Sequence, residues 1–211
     1  MDKQIKRKKF NISILGETQV GKTSMIKVLK GQGFEDIMLS TIGIDTTSDK
    51  QVFEGQEYTF KIFDTAGQER YEGIVSSTTI NVSDGFLMVF SVDSLKTFEK
   101  INHWLEFIEE HTDIKEKPII LAGNKIDIEN REVSNEEGIK LAKEKGMKYF
   151  ECSAKTGFGI KDAFHQLYKD IYDIYSSKDK LKQNNTLEEK DNIVIKKEDV
   201  KVVKEKRRLW C

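Results

Sequence analysis

Residues 10–30 read FNISILGETQVGKTSMIKVLK, and their order decides the fold. Phe10–Leu15 has the pattern of a strand, and Lys22–Lys30 has helical spacing. Between them lies Gly16-Glu17-Thr18-Gln19-Val20-Gly21-Lys22-Thr23, of the form G-x4-G-K-T. Glycines let a backbone wrap so that successive N–H groups point inward at a β-phosphate. Lys22 supplies charge for β- and γ-phosphates, and the N-terminus of the following helix adds its dipole. Thr23 offers a hydroxyl to Mg2+. A plain glycine-rich turn before a helix is the alternative, but a place directly between strand and helix favours a triphosphate-binding loop. The candidate contact run therefore extends from Gly16 through Thr23 to Ser24.

Strand-like and helix-like pieces continue to alternate on the C-terminal side. Gln51–Phe53 and Tyr58–Phe63 flank the turn Glu54-Gly55-Gln56-Glu57 and read as a hairpin. Phe86–Val92 is a buried-strand run. Leu95–His111 reads as one helix with Phe98, Ile101, Leu105 and Ile108 on one face. Ile119–Ala122 is another strand, and Glu136–Glu144 a helix behind the cap Ser134. Tyr149–Cys152 and Ile160–Tyr175 close the series as a strand and a helix. This alternation predicts an α/β fold: a six-stranded, mostly parallel sheet with one antiparallel edge strand and about five helices on both faces. In such sheets the loops after the strands carry the ligand.

Composition limits what else the chain can be. Of 211 residues, 35 are basic and 36 acidic, for a net charge of -1, so no global field points to nucleic acid. Cys152 and Cys211 are too few for a disulfide framework. No run approaches the roughly 20 apolar residues of a membrane span. The opening residues are basic, but the apolar stretch behind them is too short and interrupted for a signal peptide. A soluble cytosolic protein is expected. Composition shifts near Ser176: residues 176–211 carry 11 basic and 7 acidic residues, leaving 24 against 29 in residues 1–175. The expected division is a basic lead-in (1–9), a folded domain (10–175) and a flexible tail (176–211). VIKKEDVKVV in the tail has the makings of a transient strand or helix, although a mobile linker fits its composition better.

Three further loops carry chemistry. After the hairpin comes Asp64-Thr65-Ala66-Gly67-Gln68-Glu69. An Asp at a strand end opposite Thr23 can hold Mg2+ through water, Gly67 can offer an N–H to a γ-phosphate, and Gln68 can orient an attacking water. After Ile119–Ala122 comes Asn124-Lys125-Ile126-Asp127. Asp127 can accept from N1–H and the 2-amino group of guanine, which adenine does not present, and such hydrogen bonds discriminate by about 10⁴ or more. The Lys125 stem can lie on the base, and Asn124 can tie this loop to the phosphate loop. After the last strand, Ser153-Ala154-Lys155 can give a backbone N–H to the guanine oxygen and close the pocket.

With these motifs in this order, residues 8–175 resemble the Ras superfamily of small GTPases. The resemblance implies a P-loop GTPase domain that binds GTP and GDP with Mg2+ on Thr23, Thr41 and Asp64. It makes Thr41 the first-switch threonine on Mg2+ and γ-phosphate, and Phe34 the ring stacked on the guanine edge. Lys22, Thr41, Gly67 and Gln68 become the catalytic set, and Cys152 a packed strand residue. Ile42-Gly43-Ile44-Asp45, Gly67-Gln68-Glu69-Arg70-Tyr71 and the Phe98…Trp104 helix are similar to Rab segments, and so is an end in cysteine. A Ras- or Rho-like signalling GTPase is the alternative. Rab patterns usually place Phe, Trp and Tyr where this chain has Thr46, Phe63 and Thr78; those three residues form an effector-reading surface in the family. Met38 and Gln19 also depart, without removing a needed donor.

The implied activity is a switch: hydrolysis of GTP releases segments that Thr41 and Gly67 hold through the γ-phosphate. Without an arginine finger such sites turn over on the order of 10⁻⁴–10⁻² s⁻¹, so an activating protein is expected. The resemblance adds an exchange factor, effectors and a prenyl-dependent solubilising factor. It also implies action at the cytoplasmic face of an endomembrane, in exchange with cytosol, and a monomer by default. A protein that holds GTP without hydrolysing it is a rival from another class, as is a small-molecule P-loop kinase. Filled catalytic positions oppose the first; a loop spent on guanine and no visible second-substrate site oppose the second. Cys211 is expected to carry a geranylgeranyl group, with Lys204, Lys206, Arg207, Arg208 and Trp210 as the second membrane signal. An unmodified, solvated basic tail is the other reading.

Overall fold

The computed structural model describes residues 8–35, 44–65 and 77–181. Its centre is β1 (Lys9–Leu15), flanked in parallel by β3 (Gln56–Thr65) and β4 (Gly85–Ser91), so that Ile12 lies opposite Ile62 on one side and Gly85 on the other. β5 (Ile119–Asn124) and β6 (Lys148–Glu151) extend the sheet beyond β4, also in parallel. β2 (Ile44–Phe53) pairs antiparallel with β3 at the opposite edge, giving the order β2-β3-β1-β4-β5-β6. All seven residues of β4 are buried, as a strand covered on both faces requires. The expected mostly parallel sheet with one antiparallel edge is therefore present.

The helices are α1 (Lys22–Leu29), α2 (Ser77–Val82), α3 (Leu95–Glu99), α4 (Ile101–His111), α5 (Asn135–Glu144) and α6 (residues 160–181). The single helix expected over Leu95–His111 is interrupted at Lys100, yet hydrogen bonding crosses the break. Lys100 N–H donates to Lys96 O at 3.3 Å, and Trp104 N–H to Lys100 O at 3.1 Å. Taken as one interrupted helix, α3 and α4 bring the described helices to five. Ser134 caps α5 reciprocally with Glu137: Glu137 N–H donates to Ser134 Oγ at 3.2 Å, and Ser134 N–H to a Glu137 carboxylate oxygen at 2.8 Å. No described helix is long and apolar enough to cross a membrane.

Each sheet face has its own cover. On one, Leu15, Phe86, Met88, Phe90 and Leu121 pack with Ile80 of α2, Trp104 and Ile108 of α4, and Ala142 of α5. On the other, Phe60 of β3 stacks on Tyr168 of α6 at 4.4 Å, and a Cβ on Gly85 would stand 2.9 Å from Ile171. Chain compactness separates two units, Met1–Ile171 and Tyr172–Cys211. The loops after β1, β3, β5 and β6 leave from carboxyl ends of parallel neighbours and thus from one end of the sheet.

β2 is seven residues longer toward its N-terminus than the expected Gln51–Phe53. The added run, Ile44–Lys50, is mostly polar because an edge strand half open to solvent needs little apolar surface. The turn is also tighter than expected: Glu54 and Gly55 both have positive φ, 50° and 74°, the pattern of a two-residue hairpin turn.

Candidate functional site

Close backbone approach explains the two glycines that bound the loop after β1. A Cβ on Gly16 would sit 2.1 Å from the Val89 carbonyl oxygen, and one on Gly21 2.3 Å from Asn124 Nδ2. Gly21 is the N-cap of α1 in left-handed conformation, with no side-chain cap and no acidic residue in the first turn. The first turn of α1 thus sets no acidic side chain of its own against the positive end of the helix dipole, which suits an anion. Gln19 has φ +63°, a strained choice for a residue with a side chain, of order 1–3 kcal/mol. Lys22 turns back over the loop: its Nζ donates to Gly16 O at 2.7 Å and Glu17 O at 2.8 Å, and the residue is only 6% exposed. Burial lowers its pKa from 10.5 to about 8, against the opposing pull of the Asp64 and Glu17 charges.

β3 delivers Asp64 to the same place. Thr23 Oγ1 donates to Asp64 Oδ2 at 2.6 Å, joining the loops after β1 and β3. Asp64 is buried, and its pKa is raised first by that burial and last by Asp45; the Thr23 hydrogen bond and Lys22 oppose the rise. Its Oδ1 is buried without a hydrogen-bond partner. A hydroxyl beside a buried carboxylate with a spare oxygen fits a water-clad Mg2+, which takes few protein ligands and keeps its waters. Among the described residues no group of three or more His, Cys, Asp or Glu side chains is placed to hold a metal. Thr41, Gly67 and Gln68 lie outside the described residues, as do Met38 and Ala66.

Asn124, at the end of β5 and buried, ties three loops together. Its Nδ2 donates to Val20 O at 2.8 Å in the phosphate loop, and its Oδ1 accepts from Ala154 N–H at 3.0 Å after β6. Asp127 accepts from Ser153 Oγ, which in turn accepts from Thr156 N–H at 3.0 Å. Lys125 holds φ +69°, and its Nζ stands 3.4 Å from the Asp93 carboxylate. Asp93 was not among the sequence candidates; its signal is an acid just past the carboxyl end of a strand. Phe34 is 39% exposed, and Thr18, Gln19, Asp127 and Lys155 are exposed too. Cys152 is fully buried, and burial, then Asp162 and Glu151, push its thiol up to about 12. It is therefore inert at neutral pH.

The ends of β1, β3 and β5 thus present a buried ammonium, a hydroxyl–carboxylate pair and a polar loop exposing Asp127. That set suits a polyphosphate at one end and a hydrogen-bonding base at the other. Comparison with known proteins points the same way. The Ras family model matches residues 11–173. Ras-related protein Rab-13 of Bos taurus is 35% identical over 177 residues, covering 83% of this chain and 86% of that protein. Ras-related protein Rab-8A of Bos taurus is 36% identical over 163 residues, 77% of this chain and 78% of its own. Ras-related protein Rab-18-B of Danio rerio is 34% identical over 183 residues, with 87% and 89% covered.

Proposed function

The chain belongs to the Ras family and, within it, to the Rab small GTPases, and from that premise we propose how its own residues do the work. It binds GTP and GDP with Mg2+, hydrolyses GTP, and regulates membrane trafficking in the manner of a Rab. Guanine nucleotide, an exchange factor, an activating protein and effectors are its partners, and it associates with endomembranes.

Lys22, backed by the carbonyls of Gly16 and Glu17, meets the β- and γ-phosphates as loop amides from Gly16 to Ser24 wrap the chain of phosphates. Thr23 and Thr41 would ligate Mg2+, with Asp64 behind a water; when bound, the ion neutralises phosphate charge. Gln68 orients the attacking water, and Gly67 offers its N–H to the γ-phosphate. Asp127 selects guanine, with Phe34, Lys125, Ser153, Ala154 and Lys155 enclosing the base. The observation that carries this reading is the Asn124 bridge, which locks the guanine-reading loops to the phosphate loop in one unit.

The same proposal divides the chain into the lead-in 1–9, the GTPase domain 10–175 and the tail 176–211. It places a geranylgeranyl group on Cys211, a solubilising escort for it, and a monomer that leaves the cytoplasmic face of its membrane for the cytosol. Single-turnover hydrolysis of GTP by the purified chain tests the chemistry. Slow turnover that an activating protein accelerates, and that Gln68→Leu abolishes, is expected. No hydrolysis under any of these conditions reduces the chain to a GTP-holding protein. Mass spectrometry of the peptide containing Cys211, from membrane and soluble fractions, tests the lipid.

A further inference from the structure

The Lys125 side chain ends on an acid that neither phosphate binding nor magnesium binding requires. Asp93 follows the end of β4, and its two carboxylate oxygens stand 3.5 and 3.4 Å from Lys125 Nζ. The pair is partly sheltered, with side-chain exposures of 31% for Lys125 and 27% for Asp93. The Ser91 hydroxyl donates to Asp93, and the turn that carries the acid is fixed twice: Ser94 N–H donates to Ser91 O at 3.0 Å, and Ser91 N–H to Thr97 Oγ1 at 3.0 Å. The turn is also joined to the start of the base-reading segment and to residues 132 and 133 beyond it. Val92 N–H donates to Asn124 O at 2.9 Å, while Val92 O accepts from Glu132 N–H at 2.8 Å and Val133 N–H at 3.0 Å. Asp93 is not the cap of α3, whose N-cap is Ser94.

We propose that Asp93 is a positioning residue for the guanine base: it anchors the Lys125 ammonium at the end of β4, so that the aliphatic stem stands extended as a wall of the base slot. A lysine side chain has much rotamer freedom to lose. An ion pair that removes part of that freedom before the base arrives lowers the entropy lost on binding. Asp93 touches neither base nor phosphate in this scheme and acts through Lys125 alone. The proposal rests on Asn124-Lys125-Ile126-Asp127 being the guanine loop.

Release of a fluorescent GDP analogue from the full chain tests it, with Asp93→Asn, Asp93→Glu, Lys125→Ala and the Asp93→Asn/Lys125→Ala pair. Asparagine keeps the shape and the Ser91 acceptor but removes the charge. About threefold to fivefold faster release is expected for Asp93→Asn at low salt, the scale of a partly exposed ion pair. Asp93→Glu should recover most of the slow release. In the Lys125→Ala background the same Asp93→Asn change should alter release by less than about twofold, since its target is gone. Salt should bring wild type and Asp93→Asn together as the pair is screened. If Lys125→Ala leaves release unchanged, the guanine-loop reading itself fails. If Lys125→Ala speeds release while Asp93→Asn does not, or if the two effects multiply, the Asp93 role is overturned. Should Asp93→Asn not fold, the comparison of Asp93→Glu with wild type across salt decides: equal rates at every salt, with no salt response in wild type, overturn it.

Discussion

Lys22 carries an ammonium where little water reaches it, and this single group links nucleotide binding to pH. With only protein groups around it, burial lowers its pKa to about 8. An unfolded lysine stays near 10.5, so between about pH 8 and 10.5 the folded chain has released a proton that the unfolded chain keeps. This group therefore weighs against folding below pH 8, and that penalty is relieved as pH rises through the window. A polyphosphate reverses the balance, because two or more negative charges beside Nζ favour the charged form. Binding GDP near pH 8.5 should accordingly take up a fraction of a proton, and affinity should fall as pH rises from 7.5 to 9.5, within the window about pH 8 upward. Titration calorimetry in two buffers of different ionisation enthalpy measures the uptake directly. Equal apparent enthalpies in both buffers would remove Lys22 from the phosphate site, whatever the sequence motif says.

At one end of the sheet the elements meet through loops, and one side-chain amide joins three of them. Asn124 satisfies a carbonyl at Val20 and an N–H at Ala154, both on buried residues. Asn124→Ala leaves both groups unpaired, at about 1–3 kcal/mol each. A fall in Tm of roughly 4–24 °C is the expected result for a chain of this size. Faster GDP release should accompany it, because the base loop and phosphate loop lose their common support. A Tm within about 1 °C of wild type would mean water replaces the amide without cost, and the bridge would then matter little. The elements themselves differed in how well the sequence announced them. β1, β4, β5 and α5 have apolar periods or a reciprocal cap that local reading detects. β2 hid in Asp45-Thr46-Thr47-Ser48-Asp49, a polar run whose strand character comes from pairing with β3 rather than from its own composition. α2, at Ser77–Val82, is rich in β-branched residues, which disfavour a helix locally, so its own composition does not announce it. In the candidate site, spacing marks the loops after β1 and β5 as the ones to carry phosphate and guanine. The order of strand ends already sets Asp64 opposite Thr23, where the two are hydrogen bonded, but spacing gives no sign of the Lys125–Asp93 pair, which depends on which loops the sheet order brings together.

On the scale of the whole molecule, charge is divided along the chain. Residues 1–175 hold 24 basic and 29 acidic residues, whereas residues 176–211 hold 11 and 7. A near-neutral total therefore conceals an acidic nucleotide-binding portion and a basic tail, with Lys204, Lys206, Arg207 and Arg208 close together beside Trp210. Anionic lipid attracts such residues by about 1 kcal/mol each near the surface, within a Debye length of roughly 8 Å at physiological salt. The net charge of residues 1–175 has the opposite sign, so attraction to such a surface is expected from the tail. The unlipidated full chain should bind vesicles containing phosphatidylserine weakly, and that binding should vanish as salt rises to about 0.5 M, where screening shortens to a few ångströms. Changing the four basic residues to Gln should abolish it at low salt. GDP release from that variant should match wild type. Vesicle co-sedimentation and fluorescent GDP release, run on the same preparations, measure both. Binding that persists in the Gln variant, or that ignores salt, would place the membrane contact elsewhere on the chain and leave the basic cluster as a solvated face.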